Sequence, residues 1–412
     1  MTQPTREHDI VVYGATGFAG TLVARHLAAH APAGARLALA GRSETKLTRV
    51  RAELDVDWPI VVADASDETA LARLAASARV VVTTVGPYEK YGRQLVAACA
   101  AAGTDYADLT GEVLFVRDSI DANHDLARRT GARIVHACGF DSVPSDIGVH
   151  VLNRQVEADQ AGDLTDTTLV VTSLRGAMSG GTIDTVRNQM QTMKKDRSRA
   201  RIAASPYSLS PDRAAEPDLG RQSDMVTLPG AAVDPSLRGT LAPFFMASFN
   251  TRVVRRSNAL RDWSYGRTFR YREVMSVGAS PLSPVIAAVT KFGIGAAMVG
   301  LAVTPPAILD RVLPSPGTGP SEHTRKSGHF TVDVFTRTTT GARYRSRVRA
   351  QGDPGYAATA VMLGESALAL AFSRDELPPS EGGVLTPATA LGDVLVDRLR
   401  AAGFTITASR AD

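Results

Sequence analysis

The chain has 412 residues, 44% of them hydrophobic and 21% charged, with a formal net charge of +4. That length supports more than one core, so a cofactor module and a substrate module are expected; the small charge, scattered apart from clusters such as Arg252, Arg255 and Arg256, argues against nucleic acid as a partner. Cys99 and Cys138 have neither CxxC nor Cys/His spacing and suggest no disulfide framework or zinc site, and the polar start from Met1 to Asp9 lacks an apolar signal region, so a cytoplasmic protein is expected.

The N-terminal half alternates strand and helix. Asp9 to Tyr13 is an apolar run entering Gly14-Ala15-Thr16-Gly17-Phe18-Ala19-Gly20, followed by an amphipathic stretch through Leu27. Arg36 to Ala40, Ile60 to Ala63 and Val80 to Val85 read as further strands, with helical segments at Ser43 to Leu54, Glu68 to Ala76 and Leu95 to Ala102. Tyr106 to Leu109 and Arg133 to Ala137 complete six strands. This order predicts a doubly wound parallel sheet, a Rossmann domain over residues 1–160, with its ligand beyond the carboxyl ends of the strands.

Gly14, Gly17 and Gly20 stand after a strand and before a helix, where early glycines permit a tight turn close to a pyrophosphate and the last lets helix and strand pack. Thr16 and Phe18 belong to the same turn, and the helix N-terminus would meet the phosphates. The second strand ends at Ala40-Gly41-Arg42-Ser43, with no acid for a ribose hydroxyl. Arg42, Ser43 and Lys46 instead offer a guanidinium fork, a hydroxyl and an ammonium for a 2′-phosphate, which favours NADP(H); the plainer reading is that Arg42 and Lys46 are solvated charges at a helix start. Asp64 is either a contact on the adenine side or a helix N-cap. Gly86, Pro87 and Tyr88 follow the fourth strand, beside the nicotinamide half of such a ligand.

From about Asp163 the alternation stops. Thr167 to Leu174, Gly328 to Thr336 and Ala342 to Ala350 alternate apolar with polar residues as half-exposed antiparallel strands do, which predicts a mixed α+β substrate domain over residues 161–382. Ser205 to Ser236, rich in Pro, Asp, Gly and Arg, is either a lid or a passive loop. Ser283 to Leu313 is strongly apolar; it reads as a buried helix or a homodimer interface, or else as a greasy surface for an acyl chain, a partner or a membrane. Leu391 to Leu399 is helical and Phe404 to Thr407 strand-like, and the tail, residues 383–412, is expected to complete the cofactor domain.

The stretches Tyr-Gly-Ala-Thr-Gly-Phe-Ala-Gly, Ala-Gly-Arg-Ser, Thr-Val-Gly-Pro-Tyr, Tyr-Ala-Asp-Leu-Thr-Gly-Glu and Cys-Gly-Phe-Asp-Ser-Val-Pro-Ser-Asp resemble the saccharopine dehydrogenase-like oxidoreductases. Within them the chain looks most like the mycobacterial trans-acting enoyl reductases, a likeness continued in Ser179-Gly180-Gly181-Thr182, in Phe249 to Leu260 and in Gly383 to Ala388. The resemblance implies NADPH-dependent reduction of a carbon–carbon double bond in a polyketide or fatty-acyl intermediate held by a separate synthase. For that chemistry Tyr88 is the first candidate proton donor, with Ser142 and the turn at Ser179 as candidate donors to the developing oxyanion. Asp141 and Asp146 read as turn and cap residues. An amino-acid dehydrogenase and a non-catalytic NADPH-binding sensor or scaffold are the competing readings.

Overall fold

The structure is a computed structural model that describes residues 6–176, 180–304, 319 and 321–411. Short runs of β-branched and small apolar residues form His8–Tyr13 (β1), Leu37–Gly41 (β2), Ile60–Val62 (β3), Ala78–Thr83 (β4), Asp105–Ala107 (β5) and Arg133–Val135 (β6), all parallel. The second half contributes Leu164–Arg175 (β7), Leu228–Pro229 (β8), Thr240–Pro243 (β9), Arg270–Ser276 (β10), His329–Thr338 (β11) and Arg343–Gln351 (β12). Gly383–Leu385 (β13) then returns to the first sheet beside β6, and Thr405–Ala411 (β14) closes the second sheet beside β12.

The first sheet has seven strands in the order β13-β6-β5-β4-β1-β2-β3, one more than the sequence pattern shows. Its order reverses between β1 and β4, the switch point beyond whose strand ends sheets of this kind bind their ligands, and that region is the crevice. The second sheet runs β14-β12-β11-β7-β10-β9-β8. The expectation for the tail is corrected in part: it divides, β13 extending the Rossmann sheet and β14 pairing Ile406 with Val348 of the other.

Two further expectations are revised. Regular helices do intervene in the second half, among them Gly180–Lys195, Ala247–Leu260 and Ala357–Phe372, and β10 lies parallel to β7. Ala247–Leu260 is hard to see by hydropathy because Arg252, Arg255 and Arg256 are buried in it. The apolar stretch is not a buried helix. It forms Ser283–Val303, in which only Ser283 and Ala287 are buried among the described side chains, while Val289 is 65% and Phe292 77% exposed. By length and composition this helix could cross a membrane; residues 305–313 of the stretch lie outside the described residues.

The buried arginines also decide how residues 203–210 sit. Arg256 donates to the carbonyls of Leu209 (2.6 Å) and Val384 (2.5 Å), Arg255 to those of Pro206 (3.2 Å) and Tyr271 (2.8 Å), and Arg117 to those of Ser208 and Ser210 (both 3.1 Å). The start of the Pro- and Arg-rich segment is thus stapled to the core, and Arg256 also ties it to β13. Burial, with Arg117 nearby, lowers the Arg256 guanidinium to about 9. Arg256→Ala leaves two carbonyls unpaired in the interior, and urea unfolding should show a loss of roughly 2–4 kcal/mol. Arg256→Lys should recover only part of it, because an ammonium cannot span both carbonyls as the planar fork does.

Candidate active site

The glycine turn is built as a cradle. Gly14 adopts φ +88°, and a Cβ there would stand 2.6 Å from Val85 Cγ2. Gly20 lies so close beneath it that a Cβ would fall 2.1 Å from the Gly14 carbonyl oxygen. Gly17 donates its amide to that carbonyl (3.0 Å) and caps the helix Phe18–His30, whose first-turn amides have no carbonyl within the helix and are available to a pyrophosphate. Thr16 is half-buried at the rim. These residues fit a dinucleotide.

Phe18 contributes its backbone only, since its ring packs edge-on against Tyr356 (4.8 Å) under the Arg325 guanidinium, 5.1 Å from the ring centre. Arg325 therefore brings a cation from the second half to the edge of the cradle. No spacing signal in the sequence points to it.

At the end of β2, Arg42 and Lys46 are exposed. Ser43 is the N-cap of Glu44–Leu54, its hydroxyl oxygen accepting the Lys46 amide at 3.5 Å, which leaves its proton free to donate. Asp64 is not the N-cap. Asp67 holds that position on Glu68–Ser77, and Asp64 instead accepts from the amide (2.9 Å) and hydroxyl (2.6 Å) of Ser66.

After β4, Gly86 is exposed while Pro87 and Tyr88 are buried. The Tyr88 hydroxyl donates to the Thr83 carbonyl (3.2 Å) and accepts the Leu109 amide (3.1 Å), and burial pushes its pKa well above the ordinary phenol value. So placed, Tyr88 ties β4 to the turn after β5; releasing its proton would cost it the bond to the Thr83 carbonyl. Ser142 is likewise buried, donating to Asn250 Oδ1 (3.1 Å); Asn250 in turn donates to Glu273 (2.9 Å), which burial raises to about 7. Ser179 lies outside the described residues, but Gly180 and Gly181 open the helix Gly180–Lys195 and present first-turn amides.

Two carboxylates organise the crevice. Asp108 accepts from the amides of Thr110 (3.0 Å) and Ala137 (2.9 Å) and bonds His136 Nδ1 (2.7 Å), pinning the ends of β5 and β6 together. Glu112 accepts the amides of Tyr88 and Glu89, both at 2.8 Å, and the Thr185 hydroxyl at 3.2 Å, so it fastens the turn after β4 to the helix Gly180–Lys195. Burial raises Glu112 to about 7 even with those donors. Gln189 reaches the Gly111 carbonyl (3.2 Å) from the same helix.

Asp141 differs from these. It is half-buried, its carboxylate accepts from its own backbone amide, and it lies 3.5 Å from where a Cβ of Gly111 would stand, with Met246 Cε beside the same point. Burial, and secondarily the charge of Asp108, raises its carboxyl to about 7. A turn aspartate would keep an ordinary acidity; this one is pushed toward neutrality by burial and by Asp108. Asp146, by contrast, is structural, accepting from Ser257 (2.5 Å) and the Ala388 amide (2.7 Å).

Residues 10–135 match the saccharopine dehydrogenase NADP binding domain. A trans-acting enoyl reductase of Mycobacterium tuberculosis is 50% identical over 420 residues, covering 100% of each chain, and another M. tuberculosis protein, provisionally named for the same activity, is 54% identical over 419 residues, covering 100% of this chain and 99% of its own. The chain belongs to the trans-acting enoyl reductase family. Its fold is also that of the apo saccharopine dehydrogenase (L-Glu forming) of Saccharomyces cerevisiae, at TM-score 0.53 and 12% identity over 98% of this chain and 99% of that one. Like its family, the chain carries an NADP-binding domain and is an oxidoreductase.

If Arg42 holds the 2′-phosphate, Arg42→Ala weakens NADPH about ten-fold or more and NADH little, as read by fluorescence titration. Gly20→Ala, whose new methyl meets backbone, weakens both nucleotides alike.

Proposed function

We propose that this protein uses NADPH to reduce the carbon–carbon double bond of an α,β-unsaturated acyl or polyketide thioester brought to it by a separate synthase. The observation that carries the reading is that the likeness to trans-acting enoyl reductases runs the whole length of the chain. It therefore takes in the contacting 139–146 and 244–250 segments, where Ser142 meets Asn250, as well as the cofactor half. Free, buried Cys99 and Cys138 accord with a reducing cytoplasm.

The nicotinamide, when bound, supplies the hydride. The chain's part is to hold the cofactor on the 14–20 cradle with its 2′-phosphate at Arg42, Ser43 and Lys46, to stabilise charge at the thioester oxygen, and to protonate the α-carbon. First-turn amides of Gly180–Lys195 suit the oxygen, and Asp141 replaces Tyr88 as the donor to the carbon. Asp64 stays at the adenine side as a minor contact, and Gly86, Pro87 and Tyr88 form the wall against the ring. The exposed apolar helix Ser283–Val303 is the surface we assign to homodimer or peripheral lipid contact.

Loss of NADPH absorbance with enoyl thioesters of increasing chain length, run beside saccharopine-type substrates, tests the reading; turnover of amino acids alone, or binding of nucleotide without turnover, overturns it. Because the acid form of Asp141 is the active one and persists below about 7, kcat should fall as pH rises through that value. Asp141→Asn should cut kcat by about 10²-fold or more and abolish that limb of the profile, whereas Tyr88→Phe should shift stability more than the profile.

A further inference from the structure

The outer face of the second sheet carries an array of arginines that the proposed reaction does not use. In β12, Arg343, Arg345, Arg347 and Arg349 alternate with Tyr344, Ser346, Val348 and Ala350. The second set is buried against the body of the protein, so the four arginines share the opposite face. The register extends the array across the sheet: Arg337 of β11 lies opposite Arg343, and Arg175 of β7 is opposite His329, on the same face as Thr331 and Arg349. Six guanidinium groups thus meet two nearby carboxylates, Asp333 and Asp234; Arg272, one strand further on, is matched by Asp166 (3.1 Å). In a chain whose whole formal charge is +4, this is a concentrated positive surface.

The arginines are also held in place. Asp333, 1% exposed, takes Arg345 through Nε (3.1 Å) and Nη2 (2.9 Å) and Arg347 through Nε (2.8 Å) and Nη2 (3.1 Å). Each guanidinium keeps further N–H groups for an outside acceptor, and the fixed planes suit carboxylates, which accept two parallel bonds. Beyond the row, β14 adds only the short hydroxyls of Thr405, Thr407 and Ser409 on this face. Two rings lie on this face among the described residues: Phe335, 4% exposed under Arg345 (5.5 Å), and the half-buried His329, held by the Ser173 hydroxyl (2.8 Å), so no exposed base-stacking platform accompanies the charge. A flat face with bidentate forks and no exposed ring favours an acidic protein over a nucleic acid.

The row leads to the crevice. Past Arg349 the chain passes Gln351 and Gly352 to Asp353, whose amide bonds the Arg325 carbonyl (2.9 Å), and Arg325 caps Phe18 at the cradle. We infer that this face docks the acidic, acyl-bearing carrier portion of the synthase, and that the thioester arm reaches the crevice over the Arg349 end. The inference rests on the proposed enoyl reduction.

Arg175, Arg337 and Arg349 are exposed and have no carboxylate within ion-pair distance among the described residues, so they can be reversed without breaking an internal pair. The triple variant R175E/R337E/R349E is compared with wild type on two substrates: an acidic acyl carrier protein loaded with an α,β-unsaturated acyl chain, and the same acyl group as a free pantetheine thioester. The expected result is a KM for the carrier-bound substrate raised about ten-fold or more and a weakened salt dependence, with free-thioester kinetics, NADPH affinity and melting temperature unchanged. Equal KM values for wild type and variant on the loaded carrier overturn the docking face while leaving enoyl reduction standing. Failure of wild type to reduce even the free thioester overturns the proposed function itself. Wild-type binding of duplex RNA, or of vesicles containing anionic phospholipid, that is lost in the variant while carrier turnover is kept would assign the face to another polyanion and overturn the inference.

Discussion

Both sheets depend on one helix, Val143–Ala158, which leaves the carboxyl edge of the first sheet and runs beneath the second. It is buried continuously from Val143 to Asn153. A side chain at Gly148 would begin 3.1 Å from Val334 Cγ2, and the Gly148 carbonyl accepts the Ser346 hydroxyl at 2.6 Å, so β11 and β12 come almost to its backbone. Its buried polar groups are satisfied inside the protein, Asp146 by Ser257 and the Ala388 amide, so the helix can be enclosed on all sides. Enclosing this one forces the substrate sheet against the Rossmann sheet and sets the crevice where its N-terminus begins.

The crevice is then organised by polar groups that sequence patterns treat as surface residues. Asp108, Glu112 and Glu273 are buried and take backbone amides or neighbouring side chains, and each satisfied carboxylate fixes a loop that apolar packing alone would leave free. Asp141 differs from them: it is half-buried, and its carboxylate accepts from its own amide rather than tying two elements together. The same economy recurs in the stapled 203–210 segment, where arginines satisfy carbonyls that no strand or helix pairs.

How far the site could be read in advance varied with range. Gly14, Gly17 and Gly20 speak through local backbone geometry, so the cradle was legible. The exposed place of Arg42 and Lys46 was legible because the position after the second strand of such a sheet is determined by topology. Tyr88 does follow the fourth strand, but its hydroxyl partners, Thr83 and Leu109, come from two strand ends that only folding brings together. Arg325 and Thr185 reach the crevice from far along the chain, and the buried arginines of Ala247–Leu260 obscured a helix because their charge masks the apolar period.

By itself the sequence determined the parallel sheet and the dinucleotide turn of an NADP-binding domain, because strand alternation and glycine spacing act through local geometry. Only the tertiary structure decided that the tail splits between two sheets, that the apolar helix Ser283–Val303 stands exposed, and that the Tyr88 hydroxyl is committed to Thr83 and Leu109. Those outcomes turn on which distant groups share a hydrogen bond or exclude water from one another, and no short-range pattern carries that information.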